Sequence, residues 1–212
     1  MTNKSVDNGA GGYDDGYRKC SCFWGNQPGS LLVKLEEHLD SYTGLKVLDA
    51  GCGEGKNASF LARKGAKVRA IDISELAINN GKRFNNHINI KWEVGGISSI
   101  DFFDVKYDLV IAYGLFHCFC SFGDVQRTVE KIKWLVPNGG YGIVCAFNDR
   151  FQSFSDAHPG FEPLLLGHEV YLSLFDDWTI LFESDEDLHE VHPNNNVPHT
   201  HSMTRMIIQK EL

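Results

Sequence analysis

The sequence predicts an α/β fold: a doubly wound, mostly parallel sheet with helices on both faces. Three observations carry that expectation. Between Leu45 and Phe147, short apolar runs of strand length alternate with stretches of helical period. One of those runs, Val47-Leu48-Asp49-Ala50, passes directly into glycines at alternate positions, Gly51, Gly53 and Gly55, and then into a helix. The chain has 212 residues, 42% of them hydrophobic and 23% charged, which suits one domain with a two-sided core.

The elements follow in order. Met1–Gly12 is polar and Gly/Asn-rich, and is expected to be disordered. Residues 13–212 are expected to form the single domain, with 13–40 as an N-terminal lid and helix. Ser30 is placed as the cap of a helix whose core face is Leu31, Leu32, Leu35 and Leu39. Strands are expected at Lys46–Ala50, Lys67–Ile73, Ile88–Val94, Tyr107–Tyr113 and Tyr141–Phe147. The helices between them are Lys56–Lys64, one capped by Ser74 and running to about Phe84, and Asp124–Leu135. Beyond Phe147 the pattern loosens into a loop over Asn148–Pro163, a short helix within Leu164–Phe175, and strands at Trp178–Phe182 and Met203–Gln209.

Composition excludes several classes. The formal net charge is −8, and no Lys/Arg run is present to track a phosphate backbone, which argues against nucleic acid as partner. No apolar run of about 18 residues suggests a membrane span, and the first residues lack a signal-peptide core, so a cytoplasmic chain is expected. Cys20, Cys22, Cys52, Cys118, Cys120 and Cys145 then stand as reduced thiols. A monomer or homodimer acting on a small molecule is the expected state.

The glycine run carries the chemistry. Glycines after a strand let the backbone turn sharply and approach a ligand closely. Dinucleotide enzymes space them G-x-G-x-x-G, whereas here the spacing is G-x-G-x-G, with Asp49 and Glu54 crowding the loop. Carboxylates repel a pyrophosphate but suit the ammonium and sulfonium charges of S-adenosylmethionine. Asp72 ends the second strand roughly 20 residues on, where a carboxylate accepts from both ribose hydroxyls.

These segments resemble the class I, Rossmann-like S-adenosylmethionine-dependent methyltransferases. LDAGCGEG is similar to their first motif and RAIDIS to their second. YDLVIAYGLFH resembles the strand and loop behind the methyl donor, and LVPNGGYGIV the turn after the fifth helix. Within that class, GKNASFLARKGAKVRAIDIS and FWGNQPGS are similar to the tellurite-resistance (TehB-like) enzymes. The resemblance implies a seven-stranded sheet with an antiparallel last strand. It implies that Asp49, Gly51, Cys52, Gly53 and Gly55 wrap the methionine part, with Asn57 beside them. Asp72 would hold the ribose, and Ile73, Gly96 and Ile97 would border the adenine, with Tyr113 behind the methyl. A departure is Val94-Gly95-Gly96-Ile97, where family members often carry an Asp after the glycine.

The remaining candidates surround that site. Tyr17 and Trp24 are expected as lid contacts, excluding water and facing the sulfonium by cation–π attraction. His117, just after the fourth strand, is the candidate base and substrate contact. His168, His192, His199 and His201 are expected to line a polar substrate pocket. No bound metal is expected; were one present, His189, His192, His199 and His201 would be its ligands, for Zn²⁺ or Ni²⁺. The other reading of the chain is a non-catalytic sensor or accessory protein that binds the same cofactor.

Overall fold

A computed structural model of the chain describes residues 13–154, 161–191 and 196–212. The expected disordered tail and His192 lie outside the described residues.

Seven strands form one sheet in the order β3-β2-β1-β4-β5-β7-β6. They are β1 (Lys46–Ala50), β2 (Lys67–Asp72), β3 (Ile90–Val94), β4 (Leu109–Tyr113), β5 (Tyr141–Gln152), β6 (Trp178–Val191) and β7 (Pro198–Lys210). Strands β1 to β5 pair in parallel, and β7 runs antiparallel to both its neighbours. The helices are α1 (Asp14–Lys19), α2 (Ser30–Lys34), α3 (Lys56–Arg63), α4 (Glu75–Phe84), α5 (Phe122–Leu135) and α6 (His168–Ser173). The doubly wound sheet with an antiparallel last strand is the architecture expected from the sequence.

Alternation along each strand feeds two cores. Leu48, Ala50, Val110, Val144 and Met206 point to one face, where α5 supplies Val125, Val129, Ile132 and Leu135. Val47, Val68, Leu109, Ile111 and Ile207 point to the other, against Leu61 and Ala62 of α3, Ile78 of α4, and Leu31 and Leu32 of α2. Burying both faces explains why β4 reads as an almost unbroken apolar run and why β1 is broken within its buried part only by Asp49.

Three local expectations are corrected. Ser30 opens α2 as its first residue, and Gly29 takes the cap position because its N–H donates to Asn57 Oδ1 at 2.8 Å. The expected loop from Asn148 begins as strand, since β5 continues to Gln152 opposite His201 of β7. Its polar side chains are satisfied there: Asn148 Nδ2 donates to Asp185 Oδ1 at 2.7 Å, and Arg150 bridges Asp185 and Asp187. Likewise β6 and β7 pair from Trp178–Lys210 to Val191–Pro198, far beyond the short strands expected. The outer strand β6 is rich in acids, a composition that discourages further strand addition at an exposed edge.

Close packing also joins the glycine turn to α4. Trp92 of β3 lies against Gly55 and Gly81, where an added Cβ would come within 2.1 Å and 2.6 Å of its ring. Gly81→Ala sets two effects in opposition. Helix propensity favours Ala by about 1 kcal/mol, and overpacking against Trp92 and the Glu54 carbonyl costs about 1–3 kcal/mol. The expected outcome is a Tm lowered by up to roughly 8 °C; a raised Tm in calorimetry would mean that the ring moves aside freely.

Candidate active site

The strand order reverses between β1 and β4, and ligand sites of doubly wound sheets lie at the carboxyl ends beside such a point. A cavity of about 1030 Å³ opens there. Its floor is Gly51–Asn57 after β1, Asp72 and Ile73 after β2, and Gly95–Ser99 after β3. Tyr113–Leu115, His117–Cys120 and Phe147 continue the wall beyond β4 and along β5.

The turn is held by backbone contacts. Gly51 N–H and Cys52 N–H both donate to Ile71 O, at 2.9 and 3.0 Å. Gly53, at φ +53°, donates its N–H to Asp72 Oδ2 at 2.8 Å, while Ser74 N–H donates to Asp72 Oδ1 at 2.8 Å. A Cβ on Gly53 would stand 2.9 Å from the Tyr17 hydroxyl, so the left-handed backbone and the close cover together require glycine. Burial raises the Asp72 carboxyl above its usual range, and the two N–H donors pull it back.

The N-terminal segment is stapled over this turn. Glu54 accepts from Phe23 N–H at 2.6 Å through one oxygen and from Asn80 Nδ2 at 2.9 Å through the other. Lys56 Nζ donates to Trp24 O at 3.0 Å. Trp24 Nε1 donates to Tyr17 Oη at 3.2 Å, and Tyr13 packs edge-on against Trp24 at 5.1 Å. Glu54 therefore anchors the cover, where the sequence suggested a carboxylate offered to a cationic ligand.

Most of the residues singled out in the sequence meet in the cavity. Tyr17, Trp24, Gly51, Cys52, Gly53 and Gly55 line it, as do Asn57, Asp72, Ile73, Gly96, Ile97 and Tyr113. Asp49 does not: it is buried beneath the turn. Burial pushes its carboxyl up to about 7, with Asp72 adding to the rise and the Ala58 N–H and Lys56 opposing it. Cys118 lines the wall, and burial pushes its thiol up to about 12, which keeps it un-ionised at neutral pH.

The histidines fall out differently from expectation. His117 lines the cavity, but its Nδ1 accepts from Phe147 N–H at 3.0 Å. In the neutral ring the proton then sits on Nε2, 3.4 Å from the Tyr13 hydroxyl, so His117 offers a donor where the sequence suggested a base. His168 is off the cavity, bound to Thr204 Oγ1 at 3.1 Å and Glu183 Oε2 at 2.9 Å. His199 and His201 are buried behind the wall rather than lining it, and the residue that reaches the cavity from them is Glu190. His199 Nε2 lies 3.5 Å from Glu190 Oε1, and His201 Nε2 lies 3.8 Å from the same atom. Burial raises the Glu190 carboxyl, and His199 and Lys56 draw it down. His189 stands on the opposite face of the hairpin, 2.7 Å from Thr200 Oγ1. Glu190 was missed because it sits in an acidic strand; the signal was the two-residue spacing of His199 and His201 on one strand face.

Comparison with known proteins places this geometry in a family. A model described as a methyltransferase domain matches residues 47–140. An uncharacterized methyltransferase of Schizosaccharomyces pombe is 41% identical over 109 residues, which are 50% of this chain and 74% of that protein. A ubiquinone biosynthesis O-methyltransferase of Methylocella silvestris is 32% identical over 124 residues, 58% of this chain and 47% of its own length. Among solved structures, TehB of Haemophilus influenzae superposes with TM-score 0.68 at 21% identity, covering 86% of this chain and 62% of that one. A structure concerned with converting a disulfide bond into a thioacetal group during echinomycin biosynthesis superposes with TM-score 0.69 at 22% identity, over 94% and 91%. The chain belongs to the methyltransferase-domain family, and its fold is that of the S-adenosylmethionine-dependent methyltransferases.

Proposed function

We propose that the cavity binds S-adenosylmethionine and that the enzyme passes the methyl group to an O, N, S or chalcogen atom of a small molecule. One arrangement carries the reading: the glycine turn and Asp72 meet beneath a single cavity at the switch point of the sheet. The cofactor fits the residues present. The turn is backbone-lined and carries glycines at positive φ, and each Asp72 oxygen retains a lone pair beyond its one N–H donor.

In this reading Asp72 accepts from the ribose hydroxyls, Gly51–Gly55 takes the methionine end, and Ile73, Gly96 and Ile97 flank the adenine. Bound S-adenosylmethionine supplies a methyl on a sulfonium, a good leaving group, so transfer depends mainly on positioning and dryness. Tyr13, Tyr17 and Trp24 form the lid that excludes water. His117 holds the end of β5 and the lid residue Tyr13 in place. The aromatic cover and a net charge of −8 favour a small acceptor over nucleic acid. The small-molecule chemistry named for the ubiquinone and echinomycin relatives is consistent with that class. The direct test is release of S-adenosylhomocysteine across a panel of thiols, phenols, amines and chalcogen oxyanions. Absence of both cofactor binding and turnover would overturn the reading.

Two further outcomes are expected. Asp72→Asn removes a charge from two hydroxyl hydrogen bonds that together contribute about 2–4 kcal/mol, so cofactor affinity falls roughly 30- to 1000-fold. Calorimetry on the folded variant showing less than a threefold loss would move the ribose clamp elsewhere.

The second outcome concerns Asp49, whose carboxyl titrates near 7 in the ligand-free fold, against about 3.9 in an unfolded chain. Between those values the folded chain holds a proton that the unfolded chain has lost, so stability declines as pH rises through that window. A cationic cofactor favours the carboxylate, so binding expels the proton and affinity climbs from about pH 5.5 to about pH 8. Calorimetry at pH 6.5 in two buffers of different ionisation enthalpy measures the released proton. Asp49→Asn should abolish the release, and an equal release from that variant would assign the proton to another group.

A further inference from the structure

We propose that Glu190, His199 and His201 form a binding site for a divalent transition metal of the zinc class, set in the wall of the cavity. The site does not depend on the methyl donor, and it stands or falls separately from the function proposed for the cavity.

Strand register brings the three together. Glu190 pairs with His199 and Leu188 with His201 across β6 and β7, so these side chains share one face of the hairpin. His189 pairs with Thr200 and faces the other way. One ligand atom from each of Glu190, His199 and His201 lies within 4.8 Å of the others. With metal bonds of about 2.1 Å, a tetrahedral site has ligand–ligand edges of roughly 3.4 Å. The two Nε2–Oε1 separations, 3.5 and 3.8 Å, are already close to that.

Both rings are oriented from behind. His199 Nδ1 is 2.7 Å from Val197 O, and His201 Nδ1 is 2.7 Å from Gln152 Oε1. A carbonyl oxygen only accepts, so each Nδ1 carries a proton, and Nε2, the nitrogen that faces Glu190, is the one a metal would take. The Gln152 amide cannot be reversed without loss, because its Nε2 donates to Asn148 O at 2.7 Å and Ser202 O at 2.8 Å. A metal-bound imidazole characteristically donates its second N–H to a carbonyl or carboxylate in this way. His201 also stacks on Phe147 at 4.3 Å, which fixes the plane of the ring.

Electrostatics point the same way. A cation placed between the Glu190 carboxylate and the two Nε2 atoms is attracted to all three once both rings are neutral. Two imidazoles and a carboxylate suit zinc and its neighbours, whereas calcium and magnesium favour all-oxygen sets. Among the described residues three supply ligand atoms, the number that catalytic zinc sites take from the protein. Glu190, Leu188 and Met203 all line the cavity, so the site lies on the side a substrate would reach.

The test uses the full chain, stripped with a chelator and titrated with Co²⁺, whose visible absorption reports tetrahedral nitrogen and oxygen ligands. The expected result is one Co²⁺ per chain, bleached by Zn²⁺. Gln152→Ala, which removes the support behind His201 along with the amide's bonds to Asn148 O and Ser202 O, should weaken binding by about 10- to 100-fold. Glu190→Gln, nearly isosteric and partly exposed, should weaken it at least as much, and His189→Ala should bind as the unsubstituted chain does. No cobalt spectrum at micromolar protein with excess metal would overturn the proposal. So would a spectrum that survives Glu190→Gln and disappears with His189→Ala. Cofactor affinity, measured in parallel on the metal-free chain, reads the methyl-donor site alone, so failure of either reading is visible by itself.

Discussion

The two oxygens of Asp72 hold the active end of this molecule together. One receives the Gly53 N–H and the other the Ser74 N–H, so a single side chain at the tip of β2 ties the turn after β1 to the start of α4. Ser74 in turn caps α4 by accepting from Ala77 N–H and donates its hydroxyl to Asp14 of α1. Backbone N–H groups near a closed cavity must find partners, and here an anion supplies them. The same carboxylate that would meet a ligand is thus what shapes the floor on which the ligand would lie.

A second constraint follows from the first. A turn built of glycines has no side chains with which to bind its own cover, so the cover is attached through the residues between and beside them. Glu54, Lys56 and Asn57 each reach out to the backbone of the segment between Phe23 and Gly29. These are hydrogen bonds to main-chain atoms, and they place the aromatic rings without specifying them. The carboxylates near the turn consequently have separate duties: Glu54 fastens, Asp72 braces, and Asp49 sits below the turn as a buried acid beside it.

The half of the fold that packs helices on both sheet faces was legible, because burial on both sides leaves an apolar signature that polar insertions cannot imitate. Leu109–Ala112 is of this kind and Val47–Ala50 departs from it only at the buried Asp49, and the capped start of α4 at Ser74 added a local signal. The hairpin of β6 and β7 was legible only at its base, in Trp178–Phe182 and Met203–Gln209. Its strands hold Asp187 with Ser202 and Glu186 with Arg205 in cross-strand hydrogen bonds, and satisfied polar pairs look in sequence like a loop. For the same reason the histidines were noticed as a cluster but placed wrongly. Their count was visible, and the face each one occupies depended on a register that only the paired strands define. His117 lies on the cavity wall as expected, and a backbone N–H of β5 that no local pattern announces occupies its Nδ1.

The fold therefore separates two tasks along its sheet. The turns after β1, β2 and β3 form one side of the cavity, and the family match, residues 47–140, covers that side and ends before β5. The other side is built by the tips of β4 and β5 and by the outer hairpin, whose strands of 14 and 13 residues are the longest in the sheet. Extending a strand past its sheet is costly unless its partner extends with it, and here three strands, β5, β7 and β6, do so together. The extension carries Phe147, Glu190 and Met203 to the cavity and buries His199 and His201 behind them. Chemistry that distinguishes this chain from other members of its family should accordingly be sought on the hairpin. The residues there can change without disturbing the Asp72 brace, because no hydrogen bond described above connects the two.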